Sequence, residues 1–208
     1  MTSTLWAVGD SMTVGQGTTS RTWWQRYADR RVGESAGASL IIGKGVGGTV
    51  VWHADPARDQ IARWLPALLD ATPAASRPSQ ILAMAGANNV HATATADIPA
   101  LLDAWEGLHT RLEVDYGIRT TWLQVPPFRA GSVYPAAWLP DLVARRNAMN
   151  TWLASAMGGR NRYVATAGPL TGADGYLRPE CDSGDGLHVS TWAHVLIADA
   201  IPLSLDTR

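Results

Sequence analysis

The chain has 208 residues, a length typical of one domain, and we predict a single domain over residues 1–208. Its formal net charge of −1 lacks the basic excess that nucleic acid or an anionic membrane requires, so we expect neither as a partner. No run approaches the ~18 apolar residues of a transmembrane helix, and the N-terminal MTSTLW shows no secretory signal. We therefore expect no membrane insertion, and a protein that is cytoplasmic or released by a signal-less route.

Apolar runs bounded by turn residues predict five strands, at 5–8, 38–42, 81–85, 120–125 and 163–166. Helical patterns lie between them, at 21–31, behind Asp55-Pro56, over 98–112, from Pro140 to about 157, and from Ser190 or Thr191 onward. Asp55-Pro56 is typical of an N-cap and first turn, and Pro66 in the same stretch predicts a kink or a restart. Strands that alternate with helices at this spacing predict a three-layer α/β/α sandwich on a parallel sheet.

The polar and glycine-rich segments that could carry chemistry lie at four loops: 9–11 (GDS), 47–48 (GG), 86–89 (GANN) and 185–188 (DGLH). Three of them follow the first three strands, whose carboxyl ends share one edge of a parallel sheet, so the segments can converge. Together they supply a hydroxyl nucleophile, a histidine base, a carboxylate and amide donors, which are the parts that acyl transfer needs. The alternative for Ser11 alone is a helix N-cap.

The spacing of Asp185 and His188 has a physical reason. Three residues apart in a turn, the carboxylate can accept the Nδ1–H of the imidazole and fix its tautomer. Nε2 is then free to face Ser11.

With these four segments the chain resembles the SGNH, or GDSL-like, hydrolase family over nearly its full length. The resemblance implies a five-stranded parallel sheet in flavodoxin-like order, with Ser11 as nucleophile, His188 as base and Asp185 as its partner. It also implies an oxyanion hole made by the Ser11 amide, the Gly48 amide and the Asn88 side chain, with Gly47 the weaker register for the glycine. Two positions depart from the family pattern, because Asn89 stands where Asp is usual and Val189 where Pro is frequent.

Three competing motifs are disfavoured. The glycine-rich segment 43–49 lacks the lysine-serine/threonine ending of a phosphate loop. Ser35 lies in a G-x-S-x-G pattern, but a helical segment precedes it and a strand follows, the reverse of a nucleophile elbow. The five histidines include no HExxH pair, and we expect no metal and no cofactor.

We therefore predict a serine esterase acting on small or carbohydrate-linked esters. The alternatives are a lipase or thioesterase using the same residues, and a non-catalytic carbohydrate-binding protein on a hydrolase scaffold. Because no stretch reads as an amphipathic lid, we expect a short acyl pocket at the rim, formed by Trp52 and residues 125–128.

Overall fold

A computed structural model describes residues 4–34, 40–158 and 162–206 of the chain. Its centre is a five-stranded parallel sheet in the order β2-β1-β3-β4-β5. The strands are β1 (Thr4–Gly9), β2 (Leu40–Gly45), β3 (Gln80–Met84), β4 (Arg119–Leu123) and β5 (Tyr163–Val164). The α/β class, the parallel sheet and the flavodoxin-like order are confirmed.

The α-helices are α1 (Ser11–Val14), α2 (Trp23–Gly33), α3 (Ile61–Ala71), α4 (Ala87–Ala92), α5 (Ile98–Val114), α6 (Leu139–Gly158) and α7 (Thr191–Ala200). α2 packs against α7, and α5 packs against both α3 and α6. Right-handed crossovers place these two groups on opposite faces of the sheet, which gives the three layers. Within the described part of the chain, no helix is long and apolar enough to cross a membrane.

Two of the predicted elements differ from the structure. β2 is half-exposed rather than buried, because in the part of the sheet that the structure describes it is the edge strand beside β1. Its predicted start at 38–39 lies outside the described residues. Asp55-Pro56 does not begin a helix: the Asp55 carboxylate accepts the Ala57 amide at 2.9 Å in a local turn, and α3 begins at Ile61. α3 then passes through Pro66 as one helix, so the restart is wrong.

The sheet order places the loop that carries Ser11 beside the loop that carries Asn88. β1 lies between β2 and β3, because the chain places β2 on one side of β1 and then β3, β4 and β5 on the other. Ligands bind outside the carboxyl ends of the strands at such a switch point. Ser11 follows β1 and Asn88 follows β3, so both lie at this position.

Candidate active site

Ser11 is placed by a very short connection from the central strand. β1 ends at Gly9, and the Asp10 side chain caps α1 by accepting the Met12 amide at 3.1 Å. Asp10 is thus the N-cap and Ser11 the first helical residue, so the capping role considered for Ser11 is wrong. The Ser11 hydroxyl instead lies 2.9 Å from Nε2 of His188, and both side chains are nearly enclosed, each residue 5% exposed.

The His188 imidazole is oriented by Asp185. Nδ1 lies 2.5 Å from Oδ2 of the carboxylate, while the other oxygen accepts the amides of Leu187 at 2.9 Å and His188 at 2.7 Å. Partial burial raises the pKa of Asp185, but these hydrogen bonds outweigh it and hold the pKa below its usual range. An ionised carboxylate accepts the Nδ1–H, so the Nε2 lone pair faces Ser11.

A loop from elsewhere in the chain supports the Asp185–His188 segment through backbone atoms. The Val133 amide donates to the Asp185 carbonyl at 3.1 Å, and the Arg129 amide donates to the Gly186 carbonyl at 3.0 Å. At Gly131 the approach is so close that a Cβ would lie 2.4 Å from the Asp185 carbonyl oxygen. Residues 129–133 therefore pack closely against the segment that carries the histidine.

The Gly48 amide lies in a turn beside the end of β1. The Val46 amide donates to the Gly9 carbonyl at 3.0 Å, and the Thr49 amide closes the turn onto Val46 at 3.3 Å. Gly48 has a φ of +74°, while Gly47 is not in the left-handed region, the pattern of a type II turn. Within the described residues the Gly48 amide donates no hydrogen bond.

The adjacent asparagines Asn88 and Asn89 have different surroundings. Asn88 Nδ2 donates one hydrogen bond to the Thr49 carbonyl at 2.9 Å, which leaves its second N–H for another acceptor. Asn89 is fully buried and uses both ends of its amide: Oδ1 accepts the Val51 amide at 2.7 Å, and Nδ2 donates to the Trp52 carbonyl at 2.7 Å. An aspartate at position 89 could not make the second bond, so Asn89 fixes the loop after β2 to α4.

A second carboxyl group lies close to the serine. Asp10 is 1% exposed, and this burial raises its pKa to about 6, against the opposing effects of the Met12 hydrogen bond and the charge of His188. The sequence did not single out Asp10 as titrating, because its burial depends on the surrounding loops.

Two residues that the sequence did not single out lie next to these loops. His91 is one turn beyond Asn88 on α4, and its Nδ1 lies 3.0 Å from the hydroxyl of the buried Tyr134. The spacing of three residues from Asn88 is the one signal in the sequence that could have marked His91.

Other residues considered in the sequence have different outcomes in the structure. Residues 125–128 are buried, with Val125 and Phe128 at 0% exposure, so they line no open pocket and that part of the predicted acyl pocket is wrong. Trp52 is half-buried and packs on the core. The His53 ring bonds to the Asp55 amide and the Ala92 carbonyl, both at 2.9 Å, and so braces its loop. Ser35 lies outside the described residues.

The fold is shared with solved hydrolase structures at low sequence identity. A GDSL-like lipase from Bacteroides thetaiotaomicron is 15% identical with a TM-score of 0.68, covering 99% of this chain and 88% of that one. A carbohydrate acetylesterase family member from Sinorhizobium meliloti is 17% identical with a TM-score of 0.69, over 96% and 95%. The lipase Lip_vut3 from goat rumen metagenome is 14% identical with a TM-score of 0.69, over 96% and 95%. At these identities the likeness shows the fold.

The family follows from the sequence itself. No curated protein sequence matches the chain. The model of the GDSL-like lipase/acylhydrolase family, however, matches residues 7–196, which include the segments that carry Ser11, Gly48, Asn88 and Asp185–His188. The chain, with its central sheet and its serine at the end of β1, belongs to the GDSL-like lipase/acylhydrolase family.

Proposed function

We propose that this protein is a serine esterase that hydrolyses small or carbohydrate-linked carboxylic esters through an acyl-enzyme. The observation that carries the proposal is the hydrogen-bonded series Ser11–His188–Asp185, with 2.9 Å between Oγ and Nε2 and 2.5 Å between Nδ1 and Oδ2. Such a series activates a hydroxyl that is otherwise a weak nucleophile. The names of the acetylesterase and lipases of the same fold support ester substrates.

In the first half of the reaction, Ser11 Oγ attacks the ester carbonyl carbon while its proton passes to Nε2 of His188. Asp185 accepts the Nδ1–H and stabilises the imidazolium. The negative charge that develops on the carbonyl oxygen is met by the Ser11 amide, the Gly48 amide and the free N–H of Asn88. The imidazolium then protonates the departing alkoxide, so the alcohol leaves and the acyl group stays on Ser11.

In the second half, water attacks the acyl-enzyme and His188 takes one of its protons. Collapse of the tetrahedral intermediate breaks the bond to Oγ, and the proton returns from His188 to Ser11. The products are the carboxylic acid and the free serine. Every proton moves through one imidazole.

A serine-directed fluorophosphonate tests the nucleophile. We expect stoichiometric labelling of the wild type and none of Ser11→Ala, with ester turnover lost in parallel. Ser35→Ala is the matched control, since it removes the serine of the competing motif, and it should label and turn over as the wild type does. Equal loss in the two variants would refute Ser11 as the nucleophile, and a wild type that neither labels nor turns over esters would favour the carbohydrate-binding alternative.

The length of the acyl chain separates an esterase from a lipase. We expect kcat/KM to be highest for acetyl to butyryl esters, because no stretch of the sequence reads as the amphipathic lid that covers a long apolar groove. A steady rise toward chains of about twelve carbons would make the protein a lipase, since each methylene that fits a pocket contributes about 1–3 kcal/mol.

A further inference from the structure

A cleft lies between α4 and the start of α6, outside the residues assigned so far. Its volume is about 480 Å³, which lies within the roughly 300–1,000 Å³ that ligand sites span. The lining residues are His91, Ala137, Trp138, Asp141, Leu142 and Arg145. A second cleft of 430 Å³ continues it along α6 and shares Asp141 and Arg145. The cleft is therefore large enough for a ring-sized ligand.

The cleft adjoins the proposed catalytic residues through His91 and Tyr134. His91 lies one turn beyond Asn88, and its Nδ1 bonds to the Tyr134 hydroxyl at 3.0 Å. Tyr134 directly follows Val133, whose amide donates to the carbonyl of Asp185 at 3.1 Å. One wall of the cleft is thus linked, through His91 and Tyr134, to the chain segments that carry the asparagine and the carboxylate.

One ring nitrogen of His91 is available to a ligand in the cleft. Burial, with the negative charges of Asp10 and Asp185, raises the pKa of Tyr134, so its hydroxyl keeps its proton beside Nδ1 of His91. Burial and the charge of Arg58 lower the pKa of His91, so the ring stays neutral, and Nε2 is a donor or an acceptor according to the direction of the hydrogen bond at Nδ1. Within the described residues Nε2 of His91 makes no hydrogen bond.

The remaining lining of the cleft combines one flat aromatic side chain with one acidic and one basic side chain. Trp138 is 56% exposed although it is among the largest apolar residues of the chain. Arg145 is held in place where Nη1 donates to the carbonyls of Val90 at 3.3 Å and Thr93 at 3.1 Å. The Asp141 carboxylate is exposed and, among the described residues, makes no hydrogen bond or ion pair.

We propose that this cleft binds the alcohol portion of the ester as an uncharged sugar ring, which stacks on Trp138 and hydrogen-bonds to Asp141 and to Nε2 of His91. A pyranose presents C–H groups on its face and hydroxyls at its edge, which matches an exposed indole bordered by an acceptor and donors. One acidic and one basic side chain in the lining, Asp141 and Arg145, give no preference for a charged ligand. The proposal rests on the esterase function and adds the substrate class to it.

Two esters that share an acyl group test the cleft. Methyl acetate fills only the reacting centre, whereas a monoacetylated methyl pyranoside also reaches the cleft. We expect Trp138→Ala to lower kcat/KM for the glycoside roughly tenfold, mostly through KM, because an aromatic face contributes binding rather than chemistry. Asp141→Asn should lower it by a smaller factor, and methyl acetate should stay within about twofold in both variants.

Trp192→Ala is the matched control, because Trp192 is 52% exposed, close to the value for Trp138, and lines neither cleft. We expect it to act on both esters as the wild type does. If Trp138→Ala lowered kcat/KM equally for the two esters, or for neither, the sugar site would be refuted. The esterase function would stand in both cases, because turnover would still depend on Ser11. If Trp138→Ala lowered kcat/KM equally for phenyl acetate and for the glycoside, the cleft would be assigned to an aryl alcohol rather than to a sugar. Absence of turnover in the wild type would instead refute the esterase function.

Discussion

Two histidines six residues apart, His188 and His194, show how the same side chain is directed to different tasks. His188 donates Nδ1–H to a carboxylate and presents Nε2 to the Ser11 hydroxyl at 2.9 Å. His194 is fully buried on α7, and its Nδ1 accepts the Trp23 amide at 3.0 Å. The partner of Nδ1 decides the tautomer in each case, and the tautomer decides whether Nε2 can accept a proton.

The environments of the two rings differ accordingly. Burial, assisted by the charge of Arg26, lowers the pKa of His194 to about 4, so this ring stays neutral and bonds the start of α2 to α7. His188 lies beside two carboxyl groups, Asp185 and Asp10, that can stabilise an imidazolium. The two rings thus differ in what Nδ1 meets, a carboxylate at His188 and an amide at His194, and this difference supports the proposed role of His188 as the base.

Removal of each imidazole should separate the two roles by the largest margin. We expect His188→Ala to lower kcat roughly 10⁴–10⁶-fold in a protein that still folds, since the base acts with the nucleophile as one unit. His194→Gln should keep kcat near wild type and lower the free energy of unfolding by about 1–3 kcal/mol, because the Trp23 amide loses a well-placed acceptor. Steady-state kinetics and urea unfolding measure the two quantities, and a comparable loss of kcat in a folded His194→Gln protein would contradict the assignment.

The adjacent asparagines should repeat this contrast on a smaller scale. We expect Asn88→Ala to lower kcat about 10²–10³-fold with little change in KM, the usual cost of one oxyanion donor. Asn89→Asp is the control: it should lower the free energy of unfolding by about 1–3 kcal/mol, because the Trp52 carbonyl loses its donor, and should affect kcat less. If Asn88→Ala raised KM at an unchanged kcat, Asn88 would be a binding residue and the oxyanion donors would lie elsewhere.

The pH dependence of stability should show the most specific difference. The folded-state pKa of His194, about 4, lies below the unfolded value of 6.5, so the unfolded chain binds the proton more tightly in this range. Its contribution is complete above pH 6.5 and is lost as the pH falls to 4, by about 3 kcal/mol. Asp10 acts in the opposite sense, because its raised pKa contributes stability that is lost as the pH rises from 3.8 to about 6.

Subtracting the unfolding free energies of His194→Gln from those of the wild type at each pH removes the contribution of Asp10. We expect the difference to shrink as the pH falls from 6.5 to 4. A difference that stays constant over this range would show that His194 does not titrate as its burial requires.

The sequence predicted the fold where the signals are local. Apolar runs and helical stripes were enough for the five strands and for α2, α5, α6 and α7, because periodicity reports which side of an element is buried. The partial exposure of β2 could not be predicted, since it depends on the strand order rather than on the residues of the strand. α4 was missed because its six residues are too short to show a stripe.

The candidate site divides in the same way. Asp185 and His188 share one turn, so their contact could be inferred from spacing, and Ser11 from its place at the end of a strand. The contact of His91 with Tyr134 joins residues 43 apart and follows from tertiary packing alone. The burial of residues 125–128 was equally out of reach, since a strand end can be covered by any loop that returns to it.

The close packing of residues 129–133 against the histidine segment determines which substitutions the 129–133 loop can accept. Its contacts to Asp185 and Gly186 use main-chain atoms, while the side chains of Ala130, Ser132 and Val133 are exposed. Sequence can therefore vary at those three positions without altering the support. Neither Gly131 nor Gly186 can gain a methyl group, because it would meet a carbonyl oxygen at 2.4 or 2.5 Å. The length of this loop and its two glycine contacts, rather than its chemical character, thus set the position of His188.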